Sequence, residues 1–262
     1  MHVFPVRGLP EVGSGDDLAG LLADAVDLED GDVVCVASTV VSKAEDRAAR
    51  LSDFPPGPRA REIAARLSEH TGEEKDPRFA QAVVEESTEL LVEAPFLLTE
   101  TRFGHVNVNA GIDRSNVGGD ADLLLLPRRP SESAARIRQG LLDRAASGTT
   151  DLAVVVTDTC GRPFRHGQRA VAIGWAGVHA SRDWRGETDR DGHELAVTVE
   201  SVVDELAGAS NLVMGEGDGG TPATVVRGWS FGDHAGSDAL FRDVESDFVR
   251  QALRGWTYDP DA

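Results

Sequence analysis

Residues 151–158, DLAVVVTD, decide how the rest of the chain is read. An unbroken apolar run rich in β-branched valine, bounded by acids, predicts a buried strand that delivers Asp158 at its C-terminal end. A second run of the same kind, DVVCVAST at 32–39, leads directly into VVSKAED. Around these two strands the period changes repeatedly. The break PPGP at 55–58 precedes RAREIAARLSEH, where Ile63 and Leu67 stand four apart as on an amphipathic helix. The stretch LLVEAPFLLTETRFGHVNVNAGI (90–112) reads as strand, turn and strand, with His105, Asn107 and Asn109 sharing one face against Val106 and Val108.

Further along, Ser131 is placed to cap a helix whose stripe is Ile137, Leu141 and Ala145. ELAVTVESVVDELAGAS (194–210) spaces Leu195, Val199, Val202 and Leu206 at helical intervals, after which NLVM reads as a strand before the glycine-rich GEGDGG. A last helix is expected across 237–255, with Leu240, Val244 and Phe248 on one side. The pattern predicts a mixture of α and β without a repeated unit or low-complexity linker. Residues 1–262 are expected to form a single functional unit; two interlocked sub-domains, with no assignable boundary, are the alternative partition.

Composition narrows the functional classes. The 262 residues, 40% of them hydrophobic, suffice for a sizeable core. Acids outnumber bases 45 to 26, a formal charge of -19, which disfavours nucleic acid and anionic membranes as partners. The start MHVFPVRGLPEVGSG has no signal-peptide character, and no apolar run nears the roughly 18 residues of a membrane span. The expectation is a soluble cytoplasmic protein. Cys35, inside an apolar run, reads as core, and Cys160 is a weak candidate for a reactive thiol.

Four polar clusters follow or border predicted strands, where a rigid sheet aims loop residues at a common crevice. They are STVVSK with Lys43, GIDRSN with Asp113 and Asn116, TDT with Asp158 and Thr159, and GEGDGGTP with Glu216 and Asp218. Oxygen ligands without His or Cys suit a hard cation such as magnesium or manganese, which would reverse the local sign for phosphate in so acidic a chain. Ordinary Asp- and Gly-rich turns satisfy the same pattern. Lys43 is one of only two lysines, beside Lys75; it fits either a phosphate contact or a surface position at a helix start. Neither a P-loop nor a Rossmann fingerprint is present. The segment GRPFRHGQR gathers Arg162, Arg165, His166 and Arg169; the arginine forks suit an anionic substrate or pairing with neighbouring acids, and His166 alone does not make a general base.

Taken in order, RGLPEV, STVVSK, NAGIDRSNV, VVVTDTCGRPFRHGQRAVAIGWAG, GETDRDGHELAVT and LVMGEGDGG resemble the coenzyme F420:L-glutamate ligase family, also called F420-0:gamma-glutamyl ligases. The resemblance spans nearly the whole chain, and the lysine-poor, acid-rich composition resembles haloarchaeal proteins. It implies an α+β fold of mixed sheets with packed helices in intertwined sub-domains, and an intertwined homodimer. It implies GTP-dependent amide ligation: a deazaflavin precursor, coenzyme F420-0, is phosphorylated on its carboxylate, and L-glutamate displaces phosphate, with a second glutamate added through a gamma linkage. Implied cofactors are divalent magnesium or manganese, two ions, with potassium as helper.

By position, Asp113, Asp158, Thr159 and Glu216 resemble the family's metal ligands, Glu216 standing where relatives carry glutamine. The nucleotide-contacting segments correspond to Leu9, Pro10, Glu11 and Val12; Ser38, Thr39 and Lys43; Asn116; and Met214, Gly215, Glu216, Gly217, Asp218, Gly219, Gly220 and Thr221. Arg162 and Arg165 are candidates for the anionic substrate. No catalytic base is assigned, and a nucleotide-dependent ligase for another carboxylate, or a non-catalytic nucleotide-binding regulator, are the competing classes.

Overall fold

The structure is a computed structural model and describes residues 1–115, 117–146 and 148–258. The chain runs β1 (His2–Pro5), α1 (Leu18–Ala25), β2 (Asp32–Ala37), α2 (Ser38–Ala44), β3 (Ala48–Ala49), α3 (Pro58–Thr71) and α4 (Pro77–Glu86). Next come β4 (Ser87–Val92), β5 (Leu98–Thr101), β6 (Val106–Val108), β7 (Leu123–Leu124), α5 (Pro130–Leu142), β8 (Leu152–Arg162) and β9 (Arg165–Ala176). The last elements are β10 (Ser181–Asp183), β11 (Val199–Ser201), α6 (Val202–Met214), β12 (Ala223–Arg227), β13 (Ala235–Ser237) and α7 (Phe248–Arg254). The fold is α+β with mixed and antiparallel sheets. It divides into two units, each discontinuous in sequence: Met1–Asp46 with Arg129–Leu240, and Arg47–Arg128 with the chain from Phe241 onward.

The first unit is built on a sheet of order β1-β12-β2-β8-β9, in which β2 and β8 are parallel and every other pair is antiparallel. Alternation sorts its apolar strands: Val33, Cys35, Ala153 and Val155 meet Val202, Val203 and Leu206 of α6. Burying each such side chain stabilises the fold by about 1.5–3 kcal/mol. On the opposite face α5 approaches so closely that a Cβ on Gly174 would sit 2.3 Å from the Pro130 carbonyl carbon. A small sheet, β11-β10-β13, completes the unit.

The second unit packs α3 against α4 through Ile63, Ala64, Leu67, Ala80 and Val83, with Leu97 and Leu123 in the same core. Its sheet, β4-β5-β6, is held partly by charge. Arg250 of α7 is 5% exposed and donates to Glu89 of β4 and Glu100 of β5, including 2.8 and 2.6 Å bonds. Arg47, equally buried, donates to the Leu126 carbonyl at 2.9 Å and to Glu86 at 2.6 Å.

The α3 helix and the two central strands occur as the periodicity predicts; several other expectations are corrected. β8 runs on past Asp158 to Arg162, because β9, a strand the sequence reading missed, continues to pair with it. Residues 90–112 hold parts of three strands. There His105 and Asn107 are buried, Val108 is exposed, and Asn109 leaves the alternation with φ 54°. Ser131 does not cap α5; Pro130 takes the first helical position, Arg129 precedes it without a side-chain cap bond, and Ala145 lies beyond the end. The helix expected from 194 starts only at Val202, with Asp204 and Glu205 in its first turn, and it absorbs NLVM, which is not a strand. Leu195 and Val199 are therefore not helical. The final helix is only Phe248–Arg254, begun by Asp247, whose carboxylate accepts from the Val249 and Arg250 amides; Leu240 and Val244 lie outside it and Phe248 is exposed.

Candidate functional site

In the first unit, β2 ends at Ala37 and the chain turns at once into α2. The last pair between β2 and β8 is Ala37 with Thr157, so Asp158 is the first residue of β8 beyond the shared ladder. It is met there by Ser38, 6% exposed, whose hydroxyl donates to the Asp158 Oδ1 at 3.0 Å. The glycine-rich loop after α6 returns to the same junction: the Ala37 amide donates to the Pro222 carbonyl at 2.8 Å, and Ala223 pairs with Val36. The loop begins where Gly215 ends α6 with φ 73°, a conformation that favours glycine.

The N-terminal loop arrives from the other end of α2. The Gly15 amide donates to the Ala44 carbonyl at 2.9 Å, Val12 is buried, and the Glu11 Oε2 lies 3.6 Å from the Lys43 Nζ. The Lys43 side chain is 16% exposed and that of Glu11 96%, so the lysine is the fixed partner and the acid the loose one. Thus Ser38, Thr39 and Asp158 stand at the C-terminal end of β2 beside Pro222, which follows the 214–221 segment, while Glu11 and Lys43 meet at the far end of α2. Crevices outside strand C-termini are where open α/β sheets take ligands.

Not every predicted residue joins this group. Strand alternation sends the Thr159 side chain to the opposite face of β8 from that of Asp158. Glu216 is exposed and accepts from the Asn211 Nδ2 at 2.8 Å at the end of α6. Asp113 belongs to the second unit, where its backbone bridges to Leu124 and its Oδ1 accepts from the Ser115 amide at 2.7 Å and hydroxyl at 2.8 Å. It follows Asn109, Ala110 and Gly111, all left-handed with φ 54°, 57° and 66°. That turn is held by the Thr99 hydroxyl oxygen, which accepts from the Ala110 amide at 3.0 Å. Asn116 lies outside the described residues.

Arg162 and Arg165 face each other at the closed end of the β8–β9 hairpin, and Arg162 donates to the Gly167 carbonyl at 3.3 Å. Arg169 donates instead to the Asp204 carbonyl at 3.1 Å, which docks it on α6. The apolar run AVAIGWA (170–176) was the signal by which β9, and so the hairpin, could have been found. Cys160 is a poor nucleophile: burial, then the negative charges of Asp158 and Asp204, push its thiol up to about 11. Burial pushes Cys35 to about 12.

Among the described residues, no three or more His, Cys, Asp or Glu side chains stand together as a metal cluster. The donor set at the β2 end is nevertheless hard: the Asp158 carboxylate and the Ser38 and Thr39 hydroxyls suit a cation whose other ligands are phosphate oxygens or water. No helix among the described residues is long and apolar enough to cross a membrane.

A mixed α+β protein with a carboxylate and hydroxyls at a strand end, and a half-buried lysine on the helix that follows the strand, is the class that fold and site define. Within that class, the chain belongs to the F420-0:gamma-glutamyl ligase family, whose model matches residues 8–228. It is 71% identical to the coenzyme F420:L-glutamate ligase of Halobacterium salinarum, over 99% of both chains. The enzyme of that name from Halorubrum lacusprofundi is 70% identical over 99% of this chain and 100% of its own. That of Archaeoglobus fulgidus is 48% identical over 97% and 98% respectively.

Proposed function

We propose that this chain is a gamma-glutamyl ligase that uses GTP to join L-glutamate to the terminal carboxylate of coenzyme F420-0, then joins the amine of a second glutamate to the gamma carboxylate of the first. The observation that carries the reading is the junction at the end of β2, where Asp158 is held by Ser38 and where Lys43 shares a helix with Ser38 and Thr39. Family membership and the names of the relatives support the same reaction class.

A carboxylate is a poor electrophile, and transfer of the γ-phosphoryl group to its oxygen releases GDP and leaves an acyl phosphate. The glutamate nitrogen then forms its bond to the acyl carbon, the carbon–oxygen bond to phosphate breaks, and the amine loses a proton. Lys43 places one compact positive charge against the phosphates, and Glu11, exposed and only loosely paired, gives the lysine up when they arrive. Ser38 and Thr39 supply hydroxyl donors to phosphate oxygens. Asp158 holds a magnesium or manganese ion in the first unit, and Asp113 is an oxygen ligand in the second; Thr159 contributes through its backbone. When bound, the cations neutralise phosphate charge that this acidic chain would repel. Released from Asn211, Glu216 would bind a cation more strongly than an uncharged side chain in its place, at the cost of charge beside the nucleotide. Two divalent ions, a potassium helper and a homodimer complete the proposal. Arg162 and Arg165 hold the anionic groups of the acceptor.

The test is mass spectrometry of the acceptor after incubation with GTP, L-glutamate and manganese or magnesium in high salt, with GTP omitted as control. A gain of one or two glutamyl units is expected. A folded chain that consumes GTP without that gain would transfer the reading to another carboxylate acceptor.

A further inference from the structure

From Asp158 to Arg162, β8 has lost β2 and pairs only with β9, so the hairpin leaves the sheet as a two-stranded arm. Its turn is Pro163–Phe164, with Phe164 at φ 65°. A turn with proline second and a left-handed third residue ordinarily takes glycine or asparagine in that third place, and a bulky side chain there is an outlier. Nor does Phe164 gain burial in exchange: it is 105% exposed. Beside it stand Arg162 and Arg165, and among the described residues neither is ion-paired to a carboxylate, although the chain carries 45 acids. His166, the next residue along the arm, is also exposed. Within the single chain, the exposed ring gains no burial to offset the strain of its turn between the two guanidinium groups.

We infer that the tip of the β8–β9 arm is a recognition element for a flat, anionic aromatic ligand, with Phe164 as its stacking surface and the two arginines as its charge clamp. This rests on the ligase reading above and deepens it: the occupant is the acceptor's ring system. An aromatic face is attracted to another flat ring whatever its hydrogen-bond pattern, and the guanidinium planes add stacking and bidentate contacts to anionic groups. The ladder from Asp158 to Arg162 spans about 13 Å at the usual strand rise. A ligand with its ring on Phe164 and its reacting carboxylate at a comparable distance would lie along the arm, with the carboxylate at the Asp158 end. In this arrangement Phe164 is a positioning and specificity residue, since it touches the acceptor's ring and not the reacting atoms.

The experiment compares the full-length wild type with Phe164→Leu and Phe164→Trp in the complete assay, with sedimentation of each. Because Phe164 buries nothing, Phe164→Leu is expected to fold normally. It should raise the acceptor KM about tenfold or more, the scale of a lost base-like stack, and leave the KM values for GTP and L-glutamate unchanged. Phe164→Trp should restore acceptor affinity, and quenching of the acceptor's fluorescence on binding should follow the same order. An unchanged acceptor KM in Phe164→Leu would overturn the inference. A change in association state with acceptor affinity intact would overturn it equally, by assigning the tip to contact with a second copy of the chain. If the wild type itself makes no glutamylated product, the ligase reading fails instead, and fluorescence titration of the acceptor against wild type and Phe164→Leu then decides the arm by itself: equal affinity overturns it.

Discussion

The main sheets of the two units differ in the balance of what they bury. In the first, β2 and β8 carry valine, alanine and cysteine into an apolar interior. In the second, buried positions in and beside the three-stranded sheet include Thr99, Thr101, His105 and Asn107, and the arginines Arg47 and Arg250 are 5% exposed. An apolar interior tolerates change of shape at graded cost, whereas a polar one fails abruptly when a single partner is lost. The contrast runs through both halves of the proposed site. The Asp158 junction stands on the apolar sheet, while the left-handed turn before Asp113 takes one of its hydrogen bonds from a hydroxyl of the polar one.

The contrast can be broken at four points. The largest effect belongs to Asp158→Asn. Turnover of the glutamylation reaction should fall by about 100-fold or more, the scale of losing one placed electrostatic group, with an unchanged far-ultraviolet circular dichroism spectrum. Near wild-type turnover would detach the Asp158 junction from the chemistry.

Arg250→Ala comes next. It leaves Glu89 and Glu100 without the guanidinium they share and should cost about 3 kcal/mol in denaturant unfolding. Arg165→Ala on the exposed hairpin should stay within about 0.5 kcal/mol. Equal effects would erase the distinction between the units. The same cluster sets an acid limb. Arg254 first, and Arg250 after it, hold the Glu89 carboxyl below its ordinary value. Its contribution is therefore full above about pH 4.3, the unfolded value, and is lost as pH falls through the lowered folded one. Arg250→Met should flatten that limb in a pH series of melting temperatures.

Thr99→Val should cost about 2 kcal/mol, because the buried Ala110 amide loses its acceptor while the side-chain volume is kept. A smaller loss would mean that the left-handed turn is held by other contacts. The smallest effect is at Cys160. In the native protein its alkylation by iodoacetamide should climb only as pH approaches about 11, and Asp158→Asn should bring the rise to lower pH by removing a neighbouring negative charge.

Much of the first unit was legible in the sequence because an apolar, β-branched run reports a buried strand directly, as for 32–37 and 152–156. The α3 helix was legible for the same reason, with Ile63 and Leu67 at helical spacing. The misreadings have physical causes. His105 and Asn107 turn inward, so alternation was visible while its sense was hidden: hydropathy assigns the polar face to solvent. NLVM is a short apolar segment whose period cannot distinguish strand from helix end, and tertiary packing of α6 decided it. At the site, the motifs identified the segments, but the Ser38–Asp158 bond joins residues 120 positions apart and no local pattern announces it. Periodicity likewise does not predict a fully exposed phenylalanine.

The central sheet also imposes an order on synthesis. β1 and β2 are made first, yet they never pair with each other; the strand between them is β12, at Ala223–Arg227. As the ribosome proceeds, β1 and the β12-facing edge of β2 must therefore wait for nearly the whole chain to emerge. The parallel partner β8 arrives only after the Arg47–Arg128 segment has been made. Closing such distant contacts is slow, and waiting strand edges are open to wrong partners. Newly made chains of this protein should thus lean on holding chaperones until residue 227 has cleared the exit tunnel, and a ribosome stalled before that point should carry a protease-sensitive first unit.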